Sequence, residues 1–153
     1  FNILLSVADE DLNLQFEARA VVELELVRLC VERASDEQCA RIVSLGIDGR
    51  NFNKDPIGFR LLDAEYHQAI NKGANNPILS TISEGLYNVA IDARRIASAT
   101  PGVIDISNEQ HCRVADAIAD RDARTAVAAY REHLDHVLET TLNAIHQLPE
   151  QQK

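Results

Sequence analysis

The sequence is poor in several residue types, and each scarcity narrows the range of functions. It has no methionine and no tryptophan, and aromatic residues make up 5% of its 153 residues. No apolar run approaches the roughly 18 residues of a membrane-spanning helix, so none is predicted. No glycine-rich phosphate loop occurs either, which argues against a nucleotide-binding enzyme of that kind. The chain has 15 Lys and Arg against 24 Asp and Glu, and its net charge of -9 argues against a nucleic-acid-binding surface.

Cysteine is also scarce. Cys30, Cys39 and Cys112 are odd in number and form no C-x-x-C pair, so we predict buried thiols in a reducing, cytoplasmic compartment. Cys112 as a metal ligand is the alternative, but on a helix it would point about 100° away from its neighbour His111. With 46% hydrophobic residues, the chain is expected to form one domain over residues 1–153.

Apolar residues recur at helical spacing along most of the chain, and no strand pattern interrupts them. Ser35, Pro56 and Asp122 are typical of helix starts, and Ser107-Asn108-Glu109-Gln110 matches a capping box that predicts another. The sequence therefore predicts an all-α fold, an antiparallel bundle of about six helices. The predicted helices cover residues 9–34, 36–51, 56–72, 77–97, 107–120 and 122–147.

An acidic residue and a histidine share one face of the third predicted helix. Asp63 and His67 are four residues apart, so on a helix with about 3.6 residues per turn they are offset by roughly 40°. Phe59, Tyr66 and Ile70 fall on the same side, which predicts that this face is buried. Buried polar groups need partners.

Two further histidines are predicted to face inward. His111 aligns with the apolar residues of the fifth helix, and His133 lies in the apolar stripe of the sixth. Together with Asp63 and His67 they form a plausible ligand set for a divalent metal, because imidazole and carboxylate suit zinc, nickel or manganese. The alternative is that each histidine is an ordinary core residue with a polar partner, or part of a buried ion pair.

Two arginines are also of interest. Arg19 interrupts the apolar stripe of the first helix, and a charge there is either paired or functional. Glu23, one turn later, is the obvious partner, although Arg before Glu is the weaker orientation for a helical pair. Arg94 and Arg95 lie near the end of the fourth helix, where cations complement the helix dipole, and an effector contact at Arg94 is the alternative.

Several motifs together resemble a known family. They are Arg19-x-x-x-Glu23, Asp63-x-x-Tyr66-His67, Asn76-Pro77, His111-x-x-Val114-x-x-Ala117-Ile118, Asp122 and His133-Leu134. This set resembles the FCD domain, the C-terminal effector domain of FadR-type regulators in the GntR superfamily. Two departures are visible: Gln110 stands where the family usually has Glu, and Arg121 where it usually has Gly. Neither departure is expected to touch the four candidate ligands.

The resemblance implies one divalent metal in the bundle core, most simply zinc with nickel or manganese as alternatives, held by Asp63, His67, His111 and His133. It implies a small carboxylate effector bound near Arg19, a homodimer, and a winged helix-turn-helix domain upstream. Because the chain begins at Phe1 and lacks methionine, it is expected to be a piece cut or numbered from an internal point.

The expected function is therefore effector sensing and dimerisation in a cytoplasmic DNA-binding transcription regulator, without enzymatic turnover. The doubly apolar sixth helix also favours a dimer. The main alternative is a small all-α metal-dependent hydrolase. Glu65 would be its base in principle, but it should face away from the neighbouring ligands. A plain dimerisation module with buried His–Asp pairs is the third possibility.

Overall fold

Helices account for almost all of the regular structure. The computed structural model describes residues 9–88 and 90–147, with side chains described from residue 11. Within this part there are seven α-helices, one 3-10 turn and no strand, which confirms the all-α prediction. The helices are α1 (Asp9–Arg33), α2 (Asp36–Asp48), α3 (Pro56–Ala74), α4 (Pro77–Asn88), α5 (Ile91–Ser98), α6 (Val103–Ala119) and α7 (Ala123–His146). Residues 1–8 and 148–153 of the predicted domain lie outside the described part.

Side-chain caps set three of the helix starts that the sequence predicts. Ser35 and Gln38 form a reciprocal capping box before α2. The Asp55 carboxylate accepts two backbone N–H groups at the start of α3, where Pro56 occupies the first position. Asp122 caps α7 by accepting the backbone N–H of Thr125 at 3.0 Å.

The predicted start of a helix at Ser107 is wrong. α6 begins one turn earlier, at Val103, after Gly102 adopts a left-handed conformation with φ of 85°. Ser107 and Asn108 are buried inside this helix rather than capping it. The Asn108 amide donates to the carbonyl of Gly49 and to the side chain of Asn53, both at 2.8 Å, so it ties α6 to the 3-10 turn after α2.

The single fourth helix predicted over residues 77–97 is two helices in the structure. α4 ends at Asn88 and α5 begins at Ile91, with Ala90 left-handed at φ 56° between them. Neither Gly nor Pro marks this break, so the sequence offered no signal for it. The Arg94 guanidinium donates to the Tyr87 carbonyl at 2.6 Å and satisfies an acceptor that the ended helix leaves free.

The core lies between α1, α2, α3, α6 and α7. α7 packs against α1, α5 and α6, while α1 also packs against α3 and α4. The last helix, whose two apolar sides favoured a dimer in the sequence analysis, therefore packs against three other helices of the same bundle. No helix in the described ranges is both long and apolar enough to cross a membrane.

Candidate metal centre

Four candidate ligands from three helices meet inside the bundle. Asp63 and His67 come from α3, His111 from α6 and His133 from α7, and their exposures are 7%, 7%, 3% and 2%. One ligand atom from each lies within 4.8 Å of the others. The structure thus brings together the set that the sequence singled out, and metal binding by this set stays a prediction.

The spacing of these atoms fits a metal ion. Asp63 Oδ1 is 3.3 Å from His67 Nε2 and 3.4 Å from His111 Nε2, and the Nε2 atoms of His111 and His133 are 3.2 Å apart. Zinc with tetrahedral bonds of about 2.05 Å separates its ligand atoms by about 3.3 Å. Three of the six separations therefore match that value, and all six lie within 4.8 Å. Carboxylate with imidazole is the ligand chemistry that zinc, nickel and manganese accept.

Burial also sets the protonation states that a metal needs. Burial lowers the pKa of His111 to about 4 and that of His133 well below its ordinary value, so both rings are neutral at pH 7. Burial alone would raise the pKa of Asp63, but His67, His111 and Arg94 outweigh it and hold that pKa well below normal. Neutral imidazoles and an ionised carboxylate are the binding forms.

Two of the histidines have a partner on the ring nitrogen that faces away from the cluster. His67 Nδ1 is 2.8 Å from the Tyr130 hydroxyl, and His133 Nδ1 is 3.0 Å from Gln110 Oε1. Such partners orient the ring and leave Nε2 for the metal. The expectation that Gln110 touches no candidate ligand is therefore wrong, because α6 places it one position before His111 and against α7.

The other departure, Arg121, does stay clear of the cluster. It is left-handed, with φ of 58°, in the turn between α6 and α7. Its guanidinium donates to the carbonyls of Val31 and Ala34 at 3.0 and 2.7 Å and pairs with Asp36 at 2.8 Å. Arg121 therefore satisfies the C-terminal carbonyls of α1 and links them to the start of α2.

Tyr87 and Arg94 complete the surroundings of Asp63. The Tyr87 hydroxyl donates to Asp63 Oδ2 at 2.5 Å, and Arg94 Nη2 is 3.6 Å from the same oxygen. The Arg94 guanidinium also stacks over the Tyr87 ring at 4.3 Å. The Arg94 side chain does lie at a helix C-terminus, as one interpretation of the sequence expects, but the helix is α4 and the side chain also reaches Asp63. Arg95 instead stays exposed and pairs with Asp92.

A cavity of about 220 Å³ opens beside the cluster. Its polar lining includes Arg19, Asp63, His67, Tyr87, Arg94 and His133. Arg19 is buried, and its Nε and Nη2 donate to the two oxygens of Glu23 at 2.6 and 3.1 Å. Its Nη1 has no hydrogen-bond partner among the described residues. The pairing with Glu23 is thus observed, and the Nη1 group of this cavity-lining arginine keeps its hydrogen-bonding capacity unused.

Several functional side chains were missed at the sequence level. Tyr130 belongs to the same apolar stripe as His133, one turn before it, and nothing in that pattern indicated a polar role. No sequence feature pointed to Tyr87, because the helix break that positions it has no signal in the sequence. Glu65 pairs with Arg41 on the exposed side of α3, as expected for a residue that faces away from the ligands.

The remaining histidines and the cysteines are remote from the cluster. His146 is exposed, as expected, but His136 is half-buried, with Nε2 at 3.4 Å from the Val103 carbonyl. All three cysteines are buried free thiols, as predicted. Burial raises the pKa of Cys30 to about 12. Cys112 donates its thiol to the Gly46 carbonyl at 3.2 Å, which leaves it no part in the cluster.

Comparison with known proteins agrees with this fold. The family model of the FCD domain matches residues 15–136. The uncharacterized HTH-type transcriptional regulator YcbG of Bacillus subtilis (strain 168) is 30% identical over 146 residues, which cover 95% of this chain and 60% of that protein. The HTH-type transcriptional repressor NanR of Cronobacter sakazakii (strain ATCC BAA-894) is 33% identical over 132 residues, covering 81% and 48%. The chain thus spans between about half and three fifths of these relatives.

A solved structure gives the same result for the fold. The metal-free FCD domain of TM0439, described as a transcriptional regulator, superposes with a TM-score of 0.76. The alignment covers 94% of this chain and 99% of that one at 17% identity. At this identity the likeness shows the fold alone.

Proposed function

Since this chain belongs to the FCD domain family, we propose that it is the metal-containing, effector-sensing and dimerisation domain of a GntR-type transcription regulator. The observation that carries the proposal is the buried Asp–His cluster beside a cavity that Arg19 lines, with Arg19 Nη1 lacking a hydrogen-bond partner among the described residues. A site of this kind recognises a ligand and does not need to transform it.

We assign the metal to Asp63, His67, His111 and His133, with zinc as the first choice and nickel or manganese as alternatives. The carboxylate and the neutral rings supply ligand atoms in the required forms. A bound divalent ion would offer a Lewis-acid position to a carboxylate oxygen of the effector. The buried polar partners Tyr130 and Gln110 orient two of the rings toward that position.

The effector is a small carboxylate. A cavity of about 220 Å³ admits a metabolite rather than a peptide. The unpartnered Nη1 of Arg19 is suited to donate to a carboxylate oxygen, and Arg94, whose Nη2 is 3.6 Å from Asp63 Oδ2, lines the same cavity. Both cations sit in a largely buried setting, where their attraction for an anion is less screened than at a surface.

The domain acts on DNA through a segment outside this chain. The HTH-type relatives are longer than the aligned region, and this chain carries a net charge of -9. Effector binding at the cluster would bias the packing of α3, α4 and α7 and so change the placement of attached DNA-binding domains. A DNA-bound bacterial regulator works in the cytoplasm, and three free cysteines suit that reducing compartment.

The dimer is proposed from an apolar surface on α1 and α4. Leu14 and Val21 on α1 are 64% and 72% exposed, and Ile78 and Ile82 on α4 are 73% and 46% exposed. The members of each pair are seven and four residues apart, so each pair lies on one face of its helix, and α1 packs against α4. Exposed apolar side chains grouped in this way are typical of a protein interface, and a second copy of the chain is the proposed occupant.

Elemental analysis of protein purified without a metal-affinity tag tests the metal. One divalent ion per chain is expected, and metal-free protein that takes up none on titration would overturn the assignment.

A gel shift at low salt tests whether the DNA-binding function lies outside this chain. This chain alone should not bind promoter DNA, whereas the full-length protein should bind it and respond to the effector. Saturable, sequence-dependent binding by this chain alone would contradict the proposal.

A further inference from the structure

A continuous run of buried hydrogen bonds joins the cluster to the cavity arginine by a route that avoids the metal position. His67 Nδ1 is 2.8 Å from the Tyr130 hydroxyl, which is 2.6 Å from Glu23 Oε2. Glu23 in turn accepts two hydrogen bonds from Arg19. All four side chains are buried, and they come from α1, α3 and α7. Orienting the His67 ring requires only its contact with Tyr130, and the continuation through Glu23 to Arg19 goes beyond that role.

The chemistry of the four groups fixes the direction of each bond. Burial alone would raise the pKa of Glu23, but the charge and hydrogen bonds of Arg19 outweigh it and lower that pKa, so Glu23 is a carboxylate and accepts only. The Tyr130 hydroxyl has one proton, and the ionised Glu23 is its stronger acceptor. The oxygen of Tyr130 must then accept a proton from His67, which places that proton on Nδ1.

When the His67 ring carries a single proton, two acceptors compete for it. A proton on Nδ1 points at Tyr130, 2.8 Å away, whereas a proton on Nε2 would point at Asp63 Oδ1, 3.3 Å away. The shorter separation favours Nδ1. Only that tautomer leaves the Nε2 lone pair directed at the cluster, because a proton on Nε2 must be removed before a metal can bind there.

We propose that Tyr130 is a positioning residue that holds His67 in the Nδ1–H tautomer and, through Glu23, links metal binding at His67 to the guanidinium of Arg19. This inference rests on the proposed metal and effector site and names its internal regulation. A metal on Nε2 draws electron density from the ring and makes Nδ1–H a stronger donor. The polarisation passes along Tyr130 and Glu23, because hydrogen bonds in series strengthen one another.

The consequence is a two-way coupling between the ends of the run. Arg19 lines the cavity, and its Nη1 has no hydrogen-bond partner among the described residues, so an anion bound against Arg19 would share the guanidinium with Glu23. Thermodynamic linkage requires that if the metal alters anion affinity through this route, the anion alters metal affinity by the same factor.

Nitrogen-15 NMR of the histidine rings, recorded on the metal-free chain near neutral pH, tests the tautomer directly. The parent protein should show the His67 proton on Nδ1. In Tyr130→Phe, which removes one hydroxyl, the proton should move to Nε2, where Asp63 is the remaining acceptor. A parent spectrum with the proton on Nε2 overturns the proposal, whether or not the variant folds.

Tyr66→Phe is the matched control. Tyr66 is as buried as Tyr130 and its ring stacks on His111 at 4.3 Å, but its hydroxyl donates to the His111 backbone carbonyl at 2.9 Å. Tyr66→Phe therefore also removes one hydroxyl beside the cluster, but it leaves the hydrogen bonds from His67 through Tyr130 and Glu23 to Arg19 intact. The His67 proton should stay on Nδ1 in this variant. If both variants behave alike, general disturbance of the core explains the effect and the positioning role is refuted.

Chelator competition with zinc alone measures the effect on metal binding. Tyr130→Phe should bind zinc about 10- to 100-fold more weakly than the parent, the usual range for losing a partner of a ligating histidine. Tyr66→Phe should stay within about threefold, since only the backbone carbonyl of His111, and no ligating ring, loses a hydrogen bond. Equal affinities in Tyr130→Phe and the parent count against the proposal. Failure of the parent to bind zinc would instead reject the proposed metal site, while the tautomer measurement still decides the role of Tyr130.

The Arg19 link has its own readout. Zinc addition should shift the Nε–H resonance of Arg19, which donates to Glu23, in the parent and in Tyr66→Phe. The shift should be lost or strongly reduced in Tyr130→Phe at saturating zinc. A shift of equal size in all three proteins would show that metal and Arg19 communicate by another route.

Discussion

Replacing Arg19 by Met should destabilise the metal-free protein severely, because it leaves a carboxylate buried without its counter-ion. Glu23 would keep one donor, the Tyr130 hydroxyl, in place of three. Breaking a buried ion pair by removing one partner costs about 3–5 kcal/mol. For a protein of this length, about 2–4 °C in Tm accompanies each kcal/mol, so the expected loss is roughly 6–20 °C.

The loss of stability in Arg19→Met should depend on pH, and its direction follows from the pKa of Glu23. In the parent the pKa of Glu23 is lowered below its ordinary value of 4.5, so its stabilisation is complete at neutral pH and is lost only as pH falls through that lowered pKa. Without Arg19, burial raises the pKa of Glu23 above its unfolded value. The variant then gains stability relative to the unfolded state as acid protonates the carboxyl. The difference in Tm between parent and variant should therefore be largest at pH 7 and shrink toward pH 5.

Thermal unfolding followed by circular dichroism, in chelator-treated buffer so that metal linkage does not contribute, measures this difference. Arg28→Met is the control on the same helix, because Arg28 pairs with Glu25 and Glu32 at the surface. Exposed pairs contribute little, so its Tm should barely change. Adding Glu23→Leu to Arg19→Met should recover part of the loss, since it removes the carboxylate that would be buried without its counter-ion. A loss no larger than that of Arg28→Met, or one that is the same at pH 5 and pH 7, would refute the reasoning.

Three further predictions concern the proposed function. His111→Ala should lower both the bound metal and the Tm of the metal-loaded protein, whereas His146→Ala, at an exposed position outside the cluster, should leave the bound metal unchanged; elemental analysis and thermal unfolding measure the two quantities. Calorimetric titration with a panel of metabolic carboxylic acids should find a ligand whose affinity falls about tenfold or more in Arg94→Ala but not in Arg113→Ala, whose side chain pairs with Glu132 at the surface, and equal losses would point to general surface charge. Sedimentation at tens of micromolar, roughly the range for a modest interface, should give a dimer for the parent and a monomer for Val21→Glu, and a parent monomer would count against the α1 and α4 surface.

The choice of Arg94 for the effector test follows from the structure. Arg19 lines the same cavity, but its removal is expected to destabilise the core because Glu23 loses its counter-ion. A loss of binding in an Arg19 variant would then have two explanations. Arg94 is held by a backbone carbonyl and lies over Tyr87, so its replacement leaves no buried acidic group without a hydrogen bond.

Much of the candidate site was readable because it depends on spacing within single helices. Asp63 and His67 share a face by the helical period alone. His111 and His133 stand among apolar neighbours, and a residue in an apolar stripe is buried wherever that helix packs. The helix starts predicted from the caps at Ser35 and Asp122 were confirmed for the same reason, since a cap is completed within three residues of chain.

The errors arose where a residue from another helix decides the outcome. Ser107 and Asn108 match a local capping pattern, but Gly49 and Asn53 offer the Asn108 amide better partners inside the bundle. The break at Ala90 has no local cause, and it is accompanied by the contact of Arg94 with Tyr87 and Asp63. Local preferences are small compared with the free energy of packing and of satisfying buried polar groups, so tertiary contacts override them.

The sequence by itself determined that the chain is helical and which four side chains turn inward, because both follow from the period of an α-helix. It could not determine what those side chains meet. The contact of Gln110 with His133, the placement of Tyr87 on Asp63 and the run from His67 through Tyr130 to Glu23 each join different helices. Such contacts depend on how the helices are rotated and offset against one another, and that arrangement is fixed only when the whole core packs.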